Sequence, residues 1–240
     1  MSYIENPKTK GSGIICCIPQ TGVCPIKCDD CFFQSGRSYL EPLEENLPNM
    51  PLLETMGHRI LRVNDGNDSN NNREAVMEAV KSFPLKFYNT SINKDLEKFD
   101  GPVVLTINPG KKTDESWYRV NPIPKNLMFI RVRVNSWNQE NVVDPAIEYY
   151  SSVKVPVVLT FMRYYTETIP ETYAGFYEWK KRILNSYWVL KPIFERSIEQ
   201  RYSENPWVYT CGWKGTFTCD RCGHCLREFF AAMERMYPQE

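Results

Sequence analysis

Residues 12–34, SGIICCIPQTGVCPIKCDDCFFQ, decide how the rest of the chain is read. Ser12 to Ile18 is short, apolar and β-prone, and it runs into Pro19 and a glycine-containing loop. This predicts a first strand feeding a ligand loop. In that loop Cys24, Cys28 and Cys31 stand at spacings of four and three. Three thiolates so placed make a compact soft-metal nest. No nearby histidine or downstream cysteine completes a tetrahedral structural site, so the pattern leaves one coordination position open.

Working outward, 240 residues suffice for one large domain or two small ones with a sizeable core. Lysine plus arginine equals aspartate plus glutamate at 29 each, so no overall basic field argues for a nucleic-acid partner. No apolar run is long enough to span a bilayer, and the N-terminus MSYIENPKTK lacks the apolar core of a signal peptide. The expected setting is a reducing cytoplasm, with no membrane partner. Of the 9 cysteines, seven gather in two tight clusters, which suits metal ligation better than a disulfide framework. Cys16 and Cys17 are the other two.

After the first cysteine loop, strand, polar loop and helix recur. Strands are predicted at Arg59 to Val63, Leu85 to Tyr88, Val103 to Ile107, Leu127 to Val134 and Val155 to Phe161. Helices are predicted at Arg73 to Phe83, briefly at Lys94 to Phe99, at Val142 to Ser151, and from about Tyr173 to Tyr202 with a break near Pro192. Six strands alternating with helices make an α/β fold with a parallel, barrel-like sheet. Its functional loops then lie at the C-terminal strand ends. Residues 1–205 are expected to form this barrel, and residues 206–240 a small C-terminal metal-binding extension carrying a second cysteine set and the helix Leu226 to Met236.

The Cys24-x3-Cys28-x2-Cys31 pattern after a first strand resembles the radical S-adenosylmethionine (SAM) superfamily, over roughly Gly13 to Tyr165. The resemblance implies a partial (β/α)6 TIM-like barrel in which the three cysteines hold a [4Fe-4S] cluster and SAM chelates the fourth iron. It further implies reductive cleavage of SAM to a 5′-deoxyadenosyl radical that abstracts hydrogen from an organic substrate, a small molecule or a peptide. A reducing partner such as flavodoxin or ferredoxin would supply the electron. Asp30 departs from the family, which often has an aromatic residue just before the third cysteine. The other reading of the residues is a zinc knuckle completed by Cys16, Cys17 or a distant ligand.

In such a family the loop after the second strand approaches the methionyl amine, and here that position is Asn64-Asp65-Gly66-Asn67-Asp68. Gly66 would permit close backbone approach, and Asp65 or Asn67 would accept from the ammonium. An ordinary Asp-Gly turn explains the same letters. Ser91, Asn108, Arg133, Asn135 and Arg163 close later strands, where amides suit a ribose and an arginine suits a carboxylate. Arg131 and Arg133, two apart on one strand, share a face.

The second set, Cys211, Cys219, Cys222 and Cys225, is C-x7-C-x2-C-x2-C, four thiolates for a closed centre. Its run is nearer to a ferredoxin than to paired zinc knuckles, which favours a second [4Fe-4S] cluster over zinc. Trp207, Tyr209, Trp213 and Phe217 form an aromatic collar around it, and His224 stands among its ligands. Two further functions fit the residues: a glycyl-radical-enzyme activase and a zinc-stabilised, non-catalytic interaction protein. The C-terminal place of the second set is not that of an inserted ferredoxin-like domain, which counts against the activase.

Overall fold

Seven short apolar runs, most of them β-branched, pair side by side in a single parallel sheet. They are β1 (Ile14–Cys17), β2 (Ile60–Val63), β3 (Lys86–Thr90), β4 (Val103–Ile107), β5 (Leu127–Val134), β6 (Val157–Phe161) and β10 (Val208–Thr210). The computed structural model describes residues 3–6, 9–22, 49–64, 68–108, 118–134, 139–161, 163–164, 175–181, 186–211 and 219–239. The strand order is β1-β2-β3-β4-β5-β6-β10, each parallel to its neighbour. A sheet whose strands follow sequence order without reversal carries its crossover helices on one face, and it curls about the other. The result is an alternating α/β fold with a half-barrel sheet.

Strict alternation along the strands builds two cores. Ile15, Leu61, Val63, Tyr88, Val103, Leu105, Ile130, Val132, Val157 and Leu159 point to the outer layer. There they meet Val76 of α1 (Arg73–Ala79), Ala146, Ile147 and Tyr150 of α2 (Asp144–Ser152), and Ile198 of α3 (Pro192–Arg201). The residues of opposite parity, Ile14, Ile60, Phe87, Val104, Phe129 and Val158, face the concave side. A slip in register between Val103 and Val104 leaves Met128 unpaired in the ladder and adds it to this second core.

The concave core is closed by the C-terminal helix α5 (His224–Met236), which follows the single turn α4 (Cys219–Cys222) through left-handed Gly223. Leu226, Phe229 and Met233 recur at helical spacing and lie against the strands. Phe229 is 1% exposed and sits 6.4 Å from the Phe87 ring. Gly13 admits the helix: a Cβ there would lie 3.0 Å from Leu226. Arg235 then donates to the Leu127 carbonyl at 2.7 Å, tying the last turn of α5 to the start of β5.

Two elements differ from expectation. The long helix expected from about Tyr173 to Tyr202 is instead a hairpin, β8 (Tyr177–Lys181) and β9 (Ser186–Leu190), followed by α3. Together with β7 (Arg163–Tyr164) the hairpin forms a separate three-stranded antiparallel sheet, and Tyr177 and Leu190 anchor it in the outer core. Aromatic residues at every second position, as in Tyr177 and Trp179, favour the pleated state over a helix. Pro192 opens α3 rather than breaking a longer helix, because its missing N–H lies where none is needed. The second difference is β10, which lies in the expected extension yet supplies the seventh strand of the barrel sheet.

Phe229→Ala removes the largest α5 side chain in the concave core. It is expected to lower the unfolding free energy by about 3–5 kcal/mol. Urea unfolding measures this, and a loss under about 1 kcal/mol would mean that α5 is not an integral cover of the sheet.

Candidate functional site

The polar end of the concave face is where the chemistry-bearing side chains gather. Continuing the inward parity of each strand towards its C-terminal end replaces apolar residues by Cys16, Arg62, Asn89, Thr106, Arg131, Arg133 and Thr160. Above the apolar plug of α5, the half-barrel is therefore lined by amides, hydroxyls, thiols and guanidiniums.

Three of the predicted cofactor contacts meet there in one hydrogen-bonded chain. Arg133 Nη1 donates to Asn108 Oδ1 at 3.1 Å, and Asn108 Nδ2 donates to Ser91 Oγ at 2.8 Å. The chain crosses the C-terminal ends of β5, β4 and β3, so each strand contributes one member. Arg131 uses a different amide. Its Nη1 donates to Asn89 Oδ1 at 2.8 Å, and Asn89 Nδ2 donates to the Val63 carbonyl at 3.0 Å. The two arginines share a face of β5 but occupy successive layers, each oriented by its own asparagine.

Asp68 closes the loop after β2, and its carboxylate is directed inward to the framework. It accepts from the backbone N–H of Asn70 at 3.0 Å and of Ser91 at 2.6 Å, and from the Thr90 hydroxyl. With φ at 69° it holds a left-handed turn that aspartate tolerates better than most residues. Its role is to position Ser91, a contribution that the sequence pattern conceals. Asp65, Gly66 and Asn67 lie outside the described residues, as does Asn135; the side chain of Arg163 does too, although its backbone forms β7.

The triad Cys24, Cys28 and Cys31 also lies outside the described residues, but its approach is described. Asn72 Nδ2 donates to the Thr21 carbonyl at 3.2 Å, and a Cβ on Gly22 would overlap that same amide. Asn72 precedes α1 yet makes no side-chain cap to the helix. It holds the entry to the cysteine loop instead, and glycine at 22 is the residue that allows the contact.

The second cysteine set borders the same concavity. Cys211 follows β10, its N–H donating to the Leu159 carbonyl at 2.9 Å, while Cys225 packs against the concave core. Burial pushes the Cys219 thiol up to about 11 and the Cys225 thiol up as well. Among the described residues no group of three or more His, Cys, Asp or Glu side chains is arranged to hold a metal ion. The four thiols of the second set, one just after β10 and the others in α4 and α5, are soft-metal donors by type, but they are not gathered into such a group. His224 stands apart from them, its ring 4.7 Å from Tyr209. Burial, then Arg227, lowers its pKa. Of the expected aromatic collar, Tyr209 joins the concave core, while Trp213 and Phe217 lie outside the described residues.

Arg62 is the residue that pattern reading misses. It sits in a four-residue buried strand, ILRV, and faces the interior opposite Cys16. Its Nε is buried with no hydrogen-bond partner. Burial opposes its charge, but the anionic forms of Cys16, Cys225, Cys219 and Cys211 outweigh this and raise its pKa. Burial, then Arg62 itself, lowers Arg131 to about 10. A guanidinium held at that value is still charged at neutral pH.

A thiol raised to about 11 is almost wholly neutral at pH 8. Alkylation of Cys219 by iodoacetamide in the metal-free chain should therefore rise about tenfold per pH unit from pH 8 to pH 10, because only the thiolate attacks. Peptide mass spectrometry follows it, and a rate already level by pH 9 would contradict the burial argument. No family model, curated protein or solved structure matches this chain.

Proposed function

We propose that this chain is a radical SAM enzyme on a partial (β/α)6 TIM-like barrel, acting on a small-molecule or peptide substrate. The observation that carries the reading is the Cys24-x3-Cys28-x2-Cys31 spacing in the sequence that follows β1 of a parallel half-barrel. A polar chain across the same ends of β3, β4 and β5 supports it. Cys24, Cys28 and Cys31 would hold the three protein-ligated irons of a [4Fe-4S] cluster, leaving the fourth for the amino and carboxylate groups of SAM. When bound, cluster and SAM together supply the chemistry: one electron from a flavodoxin- or ferredoxin-type donor cleaves the carbon–sulfur bond, giving methionine and a 5′-deoxyadenosyl radical that takes a substrate hydrogen atom.

The remaining roles belong to the chain. Arg133, oriented by Asn108, would pair with a carboxylate, which the planar guanidinium matches by two parallel bonds. Asn108 and Ser91 present amide and hydroxyl groups suited to a ribose. The apolar plug of α5 excludes water from below, a requirement for any site that handles a radical. Cys211, Cys219, Cys222 and Cys225 would hold a second centre, a [4Fe-4S] cluster or zinc.

Protein purified without oxygen should be brown, with iron at the N-terminal triad, and on reduction should release 5′-deoxyadenosine from added SAM. Cys28→Ala should abolish that release. Arg133→Gln should raise the SAM concentration needed for half-maximal release by about tenfold or more, the scale of one lost charged hydrogen bond. A colourless protein with zinc at both cysteine sets, or an iron-replete reduced sample yielding no 5′-deoxyadenosine, would overturn the reading. The first result would instead favour a zinc-stabilised interaction protein.

A further inference from the structure

Arg62 on β2 and Arg131 on β5 both face the concavity, and no acid answers either. Among the described residues neither takes part in an ion pair. Glu228, the buried carboxylate of α5, is engaged by Arg227 Nη2 at 2.7 Å. Arg62 Nε is buried with its hydrogen undonated, and Thr160 Oγ1, inward on β6, is buried and unpartnered as well. Both arginines nonetheless keep part of their surface accessible, although their strand neighbours Leu61, Val63, Ile130 and Val132 are fully buried towards the outer layer. What remains open on each arginine is therefore its inward side.

The head of Arg131 is held in place. Its Nη1 reaches across β4 to donate to Asn89 Oδ1 on β3 at 2.8 Å, and Asn89 Nδ2 donates to the carbonyl of Val63, the residue after Arg62, at 3.0 Å. One buried asparagine thus spans from the Arg131 guanidinium to the backbone beside Arg62. Charge reports the same closeness: burial, then repulsion from Arg62, lowers Arg131 to about 10. Two cations that repel each other in a partly dry wall are unfavourable until a negative group joins them. Arg133, the next inward residue of β5, stands roughly 7 Å further along the strand and is oriented separately by Asn108.

We propose that Arg62 and Arg131 together bind an oxyanion, the carboxylate or phosphate group of the substrate, in the layer beneath Arg133. A planar guanidinium offers parallel N–H groups that match such an anion, and Arg62 Nε–H is one that no other group takes. Assigning the anion to the substrate rests on the radical SAM reading, whereas the anion site rests on the wall alone. That reading gives the SAM carboxylate to Arg133, which leaves the lower pair for a second anionic group. A substrate anchored there by its charged end extends towards the rim where Ser91 and Asn108 stand.

The test uses the full chain without SAM, iron or reductant, with inorganic phosphate and acetate as probes and chloride at equal ionic strength as reference. Thermal unfolding and titration calorimetry follow binding. At least one of the two oxyanions should raise the melting temperature above the chloride reference, and which of them does so identifies the acid group the site takes. Arg62→Gln and Arg131→Gln should each weaken that binding about 10- to 100-fold, the scale of a lost charged hydrogen bond. Their anion-free forms should melt no lower than the parent, because an unanswered cation has left the wall. Arg131→Lys, which keeps the charge without the fork, should bind between parent and Arg131→Gln, and it carries the test if a glutamine form does not fold. Arg133→Gln, and Arg196→Gln on exposed α3, should leave the binding in place.

A parent whose melting temperature neither oxyanion moves overturns the proposal. So does a response that survives both glutamine changes, or one that vanishes with Arg133→Gln alone, which would put the anion in the upper layer. Because binding is read without SAM, these failures leave radical SAM cleavage at the triad untouched. A chain that binds the anion here yet releases no 5′-deoxyadenosine when loaded keeps the site and loses the radical reading.

Discussion

The structure depends on burying both faces of one parallel sheet. Strands in sequence order send their crossovers to one side, and α1, α2 and α3 cover that side with Val76, Tyr150 and Ile198 among others. The opposite face is just as apolar at its lower end, from Ile14 through Phe87 to Val158, and water must be kept from it as well. A full eight-stranded barrel would bury that face against itself. The seven described strands form a half-barrel, and the helix α5 fills its concave side, with Phe229 supplying the bulk.

That solution explains where polarity is tolerated. The helix covers only the lower part of the concavity, and above it the inward positions change from Ile14 to Cys16, from Ile60 to Arg62, from Phe87 to Asn89 and from Phe129 to Arg131 and Arg133. Along each strand the same pleat that builds the core below builds the candidate site above. The asparagines make this possible in energetic terms: each of Asn89 and Asn108 accepts from one arginine and passes its own N–H groups to a backbone carbonyl or a hydroxyl. Satisfied networks of this kind hold geometry, whereas half-satisfied ones weaken it.

Much of the sheet was legible in the sequence, because runs such as VVLTI and VVLTF have few other places to go in a chain with this spacing. The rim residues Ser91, Asn108 and Arg133 were legible for the same reason, each being the polar end of an apolar run. What escaped reading did so for identifiable causes. β10 is only three residues long, and its membership in the sheet is decided by pairing with β6 rather than by its own letters. The β8–β9 hairpin carries lysines and glutamate that imitate a helix, and only the tertiary anchoring of Tyr177 and Leu190 decides for the pleat. Arg62 is a lone charge in an apolar four-residue strand, and only the sheet register, opposite Cys16, puts it on the inner face. Asp68 and Asn72 work through backbone contacts more than twenty residues away in sequence, which no local pattern encodes.

An open sheet has rims, and a rim is a template on which a second chain can add strands. One border of this sheet belongs to β10, a single short segment from Val208 to Thr210. Tyr209 occupies the middle of that segment, with Arg227 stacked over its ring at 4.6 Å. A border so brief, with a cation beside it, presents too few free amides and carbonyls to seed edge-to-edge growth. Along its last strand, then, the half-barrel does not invite self-association.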